Sequence, residues 1–199
     1  MSHYWAKFKT MGGQRFRLDT RIYLDAIAAP DDQDAVIGCI IGKNPGSAVA
    51  SKRSSQLAPI ALSGDKFLPT VLSVLRQSYR RAQRPIVPGS YVQVLNLFYL
   101  CDRDLTAAKR SLKSCPKAPL CPTEAQDFPW AWFAWGGSDR VLDPLKPRFD
   151  ALSSARSFYY CKDQGRVIAR RPTSQDLAKH TQGMPQSTVV THLAKLTGR

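Results

Sequence analysis

The chain has 199 residues, of which 43% are hydrophobic, so it is long enough and apolar enough to fold around one buried core rather than remain disordered. It carries 29 Lys and Arg against 15 Asp and Glu, a net charge of +14. This excess favours a polyanionic partner, with nucleic acid ahead of a membrane surface or an inert basic surface.

The hydropathy of the chain bears on its compartment, and its cysteines bear on whether it binds a metal. No run of about 18 apolar residues is present, and the first residues lack the apolar core and cleavage site of a secretory signal, so we expect a cytoplasmic protein without membrane association. The five cysteines are odd in number and form no C-x-x-C pair, which favours reduced thiols over a zinc or iron–sulfur site. We therefore expect no cofactor and no metal.

The first half of the chain predicts three strands and one helix. Alternation over residues 7–25, interrupted by Gly12-Gly13, predicts a hairpin, which we interpret as an extension (1–30) of a single domain (1–199). The apolar residues 35–41 and 91–98 predict strands covered on both faces. Between these, residues 47–64 read as an irregular loop, and leucines at helical spacing predict a helix from residue 68.

The second half continues this alternation. A short helix is predicted over 104–112, strands over 130–135 and 158–161, a short helix from Ser138 to Leu142, and a final helix after Ser187. The order predicts an α/β fold, a three-layer sandwich with a short, mostly parallel four-stranded central sheet flanked by helices.

Three predicted strands end in polar or Gly/Pro loops. The first is followed by Gly42-Lys43-Asn44-Pro45-Gly46, a tight loop with Asn44 at its apex, the second ends at Asn96, and the third closes with Trp135-Gly136. Ligands of such sheets bind beyond the carboxyl ends of the strands. Each motif alone is equally typical of a turn or a core, but the three in this order predict a site at this edge of the sheet.

This order of motifs resembles the uracil-DNA glycosylase superfamily. Gly42–Gly46 is similar to the G-I-N-P-G loop of its thymine/mismatch-specific branch, and Gly64–Phe67 to that branch's G-N-H-F. Val94–Phe98 and Trp135–Ser138 also resemble bacterial and phage members. The superfamily's last loop precedes its final helix; Met184–Ser187 resembles M-P-S-S, while Arg171–Ser174 stands where another branch has H-P. We favour Met184–Ser187.

The resemblance implies a monofunctional DNA glycosylase that flips a nucleotide out of DNA and hydrolyses its N-glycosidic bond, leaving an abasic site. Asn44, held in the loop by Gly42, Lys43 and Pro45, would position the attacking water. An asparagine cannot ionise, so it would orient the water rather than act as a general base. Lys43 is the one lysine beside this loop that could form a Schiff base, and lyase activity is disfavoured.

The resemblance also implies residues that bind the base and the DNA backbone. Asn96 would read the base edge, with Phe67 or Phe98 stacking on the ring. The expected contacts to DNA are Lys52, Arg53, Arg171, Lys179, Met184, Pro185, Gln186 and Ser187.

The substrate prediction rests on Gly46. Superfamily members that are strict for uracil carry a Tyr there, where it blocks a 5-substituent, whereas this chain has Gly46 followed by Ser47. We therefore expect an open pocket that accepts thymine or a bulky modified cytosine of the kind found in phage DNA. A role in antiphage defence or in repair would follow, with the protein acting as a monomer on DNA.

Two alternatives remain. The first is a nucleic-acid-binding module of the same fold with little or no activity. The second is a nucleotide-binding or nucleotide-hydrolysing enzyme, which is disfavoured because neither G-x-x-x-x-G-K-[ST] nor G-x-G-x-x-G occurs.

Overall fold

A computed structural model describes residues 1–46, 49–50 and 56–198. The strands are β1 (Ser2–Met11), β2 (Gln14–Ile27), β3 (Val36–Gly42), β4 (Val49–Ala50), β5 (Ala58–Ala61), β6 (Tyr91–Asn96), β7 (Ala131–Phe133), β8 (Ser157–Cys161) and β9 (Arg166–Ile168). The α-helices are α1 (Phe67–Arg81), α2 (Leu105–Lys113) and α3 (Gln186–Thr197), and 3-10 helices span Pro122–Ala125 and Asp143–Ala151.

The described strands form one mixed sheet in the order β4-β5-β1-β2-β6-β3-β7-β8-β9. Strands β6, β3, β7 and β8 run parallel in its centre, and the other pairings are antiparallel. The predicted mixture of helices and strands is confirmed, but the prediction of a four-stranded, mostly parallel sheet is wrong. The predicted hairpin, β1 and β2, joins the sheet directly because β2 pairs with β6.

Part of the sheet was not predicted. The segment 47–64, expected to be an irregular loop, contains β4 and β5, and β5 extends the sheet beyond β1. β9 is only three residues long and pairs with β8. Strands this short carry too little alternation to be read from the sequence, and they form because neighbouring strands offer unpaired backbone groups.

Apolar side chains cover both faces of the sheet. On one face, α1 and α3 pack with Leu75 and Leu193 against a cluster that includes Trp132. On the other, α2 contributes Ala108 and the second 3-10 helix contributes Phe149. Burial on both faces accounts for the uninterrupted apolar sequences of the central parallel strands.

The predicted helix from Ser138 to Leu142 is absent. The Asp139 carboxylate instead accepts the backbone N–H groups of Val141 and Leu142, and the Ser138 hydroxyl donates to Asp143 at 2.6 Å. Such local side-chain bonds compete with helix formation. A 3-10 helix starts at Asp143, where prolines remove N–H donors that an α-helix needs.

We expect Gly38→Ala to lower the free energy of unfolding by about 1–3 kcal/mol, because overpacking a buried site forces its neighbours to move. A Cβ on Gly38, in β3, would lie 2.2 Å from Cε2 of the buried Trp130. Urea denaturation measures the change. The control is Gly137→Ala, whose Cβ would meet Leu177 at an ordinary 3.4 Å. Equal stability of the two variants would contradict the tight β3–Trp130 packing.

Candidate functional site

The carboxyl ends of β3 and β6 meet at one edge of the sheet. Gly42 is the register partner of Asn96, and the backbone N–H of Leu97 donates to the Gly42 carbonyl at 3.0 Å. A cavity of about 670 Å³ opens beyond these strand ends. Its lining comes from distant parts of the chain: Arg17, Gly42–Gly46, Gly64–Phe67, Thr70, Asn96, Arg103, His180–Met184 and Gln186.

Asn44 and Asn96 are the only asparagines in the chain, and both line this cavity. The Asn44 amide nitrogen donates to the carbonyl of Asp102 at 3.0 Å. This bond fixes the amide plane and leaves the amide oxygen as the atom able to accept a hydrogen bond from a water.

Asn96 is 1% exposed, and its amide nitrogen has no hydrogen-bond partner in the described part of the chain. A buried amide without a partner costs roughly 1–3 kcal/mol, so a ligand acceptor in the cavity would satisfy it. Gly42 makes room for this group, because a Cβ there would lie 3.0 Å from the Asn96 amide oxygen and 3.3 Å from the Phe67 ring.

The backbone at Asn96 is held from behind by Arg148. One guanidinium nitrogen of Arg148 donates to the carbonyls of Asn96 and Leu97 at 3.0 and 3.1 Å. Its Nε donates to Glu124 at 2.8 Å, and Glu124 also accepts the Tyr99 hydroxyl at 2.6 Å. These charge-assisted bonds give Asn96 a rigid position at the cavity wall.

Arg17 and Asp65 form a charged pair in the cavity lining that the sequence did not reveal. Arg17 is 2% exposed, and its Nη1 lies 3.8 Å from the Asp65 carboxylate. The other Asp65 oxygen accepts the backbone N–H groups of Phe67 and Leu68 at the start of α1. The alternation of polar and apolar residues in β2 predicts that Arg17 faces solvent, because the neighbouring residues give no sign that β2 is covered on both faces.

His180 is a second pocket residue that sequence reasoning missed. Its ring lies 5.0 Å from that of Phe67, centroid to centroid. Burial, together with the positive charges of Lys43 and Lys179, lowers the pKa of His180 to about 4. The imidazole is therefore neutral at pH 7 and can both donate and accept hydrogen bonds. The one sequence feature that could have indicated His180 as a pocket residue is its position four residues before Met184.

Trp135-Gly136 does not line the cavity. Trp135 is 1% exposed in the core, and Gly136, at φ +88°, lies against the Lys43 side chain, where a Cβ would be 2.6 Å from Cε. Gly136 thus creates the room that Lys43 occupies. Burial lowers the pKa of the Lys43 ammonium; Asp139 opposes this shift, and Lys109 adds to it.

Several predicted contacts do not reach the cavity. The prediction that Phe98 stacks on a base is wrong, because it is 3% exposed in the core cluster that contains Ala108 of α2. Arg171 instead donates to the backbone carbonyls of Asp150 and Leu152. The cavity is therefore completed by the Met184 loop and not by Arg171–Ser174.

The remaining predicted residues fall into three groups. Met184 and Gln186 line the cavity, as do Gly42, Lys43, Pro45, Gly46 and Phe67. Pro185 and Ser187 are exposed at the start of α3, and Lys179 lies beside Gly183, outside the lining. Ser47, Lys52 and Arg53 lie outside the described residues.

The charge of the cavity lining is predominantly positive. Its cationic residues are Arg17, Lys43, Lys66 and Arg103, and Asp65 is the one acidic residue among those described there. Lys66 and Arg103 are exposed at the rim.

Within the described ranges no group of three or more His, Cys, Asp or Glu is arranged to bind a metal ion, and the five cysteines are free thiols. No helix of the described residues is long and apolar enough to cross a membrane. Comparison of the chain with family models, curated proteins and solved structures gave no match.

We expect the buried His180 to make stability depend on pH. Its folded pKa lies below the ordinary value of about 6.5, so between pH 6.5 and 4 the unfolded chain binds more protons than the folded one. The free energy of unfolding therefore falls as the pH is lowered through this window. Denaturant unfolding at pH 7 and pH 5 should show a larger loss for the wild type than for His180→Gln; an equal loss in both would contradict the assignment.

Proposed function

We propose that this protein is a monofunctional DNA glycosylase that excises a modified pyrimidine from DNA and leaves an abasic site. The observation that carries the proposal is the position of Asn44 and Asn96 in one cavity, with the buried Asn96 amide nitrogen unpaired among the described residues. This arrangement supports a glycosylase function, which the order of motifs already suggested through its resemblance to the uracil-DNA glycosylase superfamily.

Recognition of the base follows from the Asn96 amide. It offers two N–H donors and one acceptor oxygen, a pattern that suits the hydrogen-bonding edge of a pyrimidine. Phe67, beside both Gly42 and His180, supplies an apolar surface for the flat ring. The flipped base would recover in this pocket the unstacking energy, a few kcal/mol, that leaving the helix costs.

Asn44 would serve the hydrolysis step. With its amide nitrogen bonded to Asp102, the amide oxygen would orient a water toward the sugar C1′. Because Asn44 takes up no proton, the reaction depends on electrostatic stabilisation of the sugar cation and the departing base. Exposed Lys66 and Arg103 at the rim would contact backbone phosphates, and the net charge of +14 would draw DNA to the protein.

The substrate class follows from Gly46. Among the described residues, no atom beyond its chain neighbours lies within 4 Å of a Cβ built on Gly46, so these residues leave the cavity open beside it. A cavity of about 670 Å³ is as large as pockets that bind ligands considerably larger than one pyrimidine ring. We propose that it accepts thymine or a bulky 5-substituted cytosine in addition to uracil, and that the protein acts as a cytoplasmic monomer on DNA, including phage DNA.

We expect the wild type to produce alkali-labile sites in oligonucleotides at a uracil or 5-substituted cytosine. Asn44→Ala should slow this reaction about 100-fold, because a misplaced nucleophile costs a factor of that size, while leaving DNA affinity unchanged. The control is Gln164→Ala, which removes an exposed amide in the turn between β8 and β9.

The same experiment separates enzyme from binding module. Tight, salt-sensitive binding without strand breaks by the wild type would mean that the protein only binds DNA. Equal strand breakage by the wild type and Asn44→Ala would contradict the assigned role of Asn44.

A further inference from the structure

Arg17 is a buried cation with two guanidinium nitrogens that make no hydrogen bond within the described part of the chain. Neither its Nε nor its Nη1 has a hydrogen-bond partner among the described residues, and its carboxylate neighbour Asp65 is 3.8 Å away. Buried polar groups nearly always make hydrogen bonds, so a guanidinium in a cavity lining that is balanced only by this distant carboxylate suits a ligand with an acceptor or a negative charge.

The fold brings Arg17 to the same wall as Asn96. β2 runs antiparallel to β6, and the Arg17 backbone N–H donates to the carbonyl of Tyr99 at 2.9 Å, three residues beyond Asn96. A base whose edge is read by Asn96 therefore lies in the cavity that Arg17 lines.

We propose that Arg17 is a catalytic residue that stabilises the negative charge on the departing base. The inference rests on the proposed glycosylase function. It assigns to the N-terminal hairpin a direct part in the reaction, through the Arg17 guanidinium in the cavity lining.

The step balances without any further reactant. The bond between C1′ and N1 breaks, and both electrons go to the base, whose anion spreads over N1 and its carbonyl oxygen. The Arg17 N–H groups donate to this anion and keep their protons, since arginine stays protonated in proteins. Water adds to C1′, and the proton that it loses ends on the released base. The products are the abasic sugar and the neutral base.

Other cationic groups of the cavity are less suited to this role. His180 is neutral at pH 7, and the Lys43 side chain lies against Gly136. Lys66 and Arg103 are exposed, so solvent screens their charge. Arg17 alone among these is both fixed in its charge and buried, and in a water-excluded site a preorganised charge acts most strongly.

The test compares leaving groups that differ in electron withdrawal but little in size: uracil with 5-fluorouracil, and 5-hydroxymethylcytosine with 5-formylcytosine, each in the same oligonucleotide. Single-turnover rates are measured for the wild type, Arg17→Met and Arg17→Lys. For the poorer leaving group of each pair, Arg17→Met should lose about 100-fold or more. The loss for the electron-poor partner should be at least tenfold smaller, because that base stabilises its own anion.

The controls address folding and binding. Arg17→Lys keeps a cation and should recover part of the rate, and DNA affinity should be unchanged in both variants. If Arg17→Met does not fold, as judged by thermal unfolding, Arg17→Gln takes its place with the same expected selectivity.

Each outcome decides the inference. An equal loss for both members of a pair would show that Arg17 supports the structure only, and it would overturn the inference while leaving the proposed function intact. Release of no base by the wild type from either pair would overturn the proposed function and the inference with it.

Discussion

The parallel pairing of β3 with β6 sets the positions of Asn96 and of the loop that carries Asn44. Its register sets Gly42 opposite Asn96, and the loop that follows β3 lines the cavity together with Asn96. Because side chains of a strand alternate between faces, a shift of one residue would turn Asn96 into the core and move the Asn44 loop away from it. The flanking strand β2 adds Arg17, and the Met184 loop before α3 closes the cavity.

Two residues of the cavity lining, Asn96 and Arg17, carry buried N–H groups that make no hydrogen bond among the described residues. Behind the site, Glu124, Arg148 and Tyr99 form a hydrogen-bonded network that holds the backbone of Asn96. Unpaired buried donors cost stability, and a ligand in the cavity that supplies acceptors would recover part of that cost. The same cost favours binding only when the ligand supplies acceptors in matching positions.

Sequence patterns predicted the parts of the fold and site that depend on local residues. Asn44 and Asn96 could be found because each follows an apolar strand at the edge where ligands bind. Arg17 and His180 could not, since their positions depend on strand pairing and loop packing far along the chain. Phe98 was misassigned for the same reason, because only the packed structure shows that it enters the core beneath α2.

The proposed glycosylase activity is tested most directly by identifying the compound that the protein releases from DNA. Purified protein is incubated with DNA that contains uracil, thymine mismatches and 5-substituted cytosines, and the filtrate is examined by mass spectrometry. We expect a free pyrimidine base in the filtrate and abasic sites in otherwise intact DNA strands. Nucleotides or nucleosides in the filtrate, or DNA that is bound but unchanged, would contradict it.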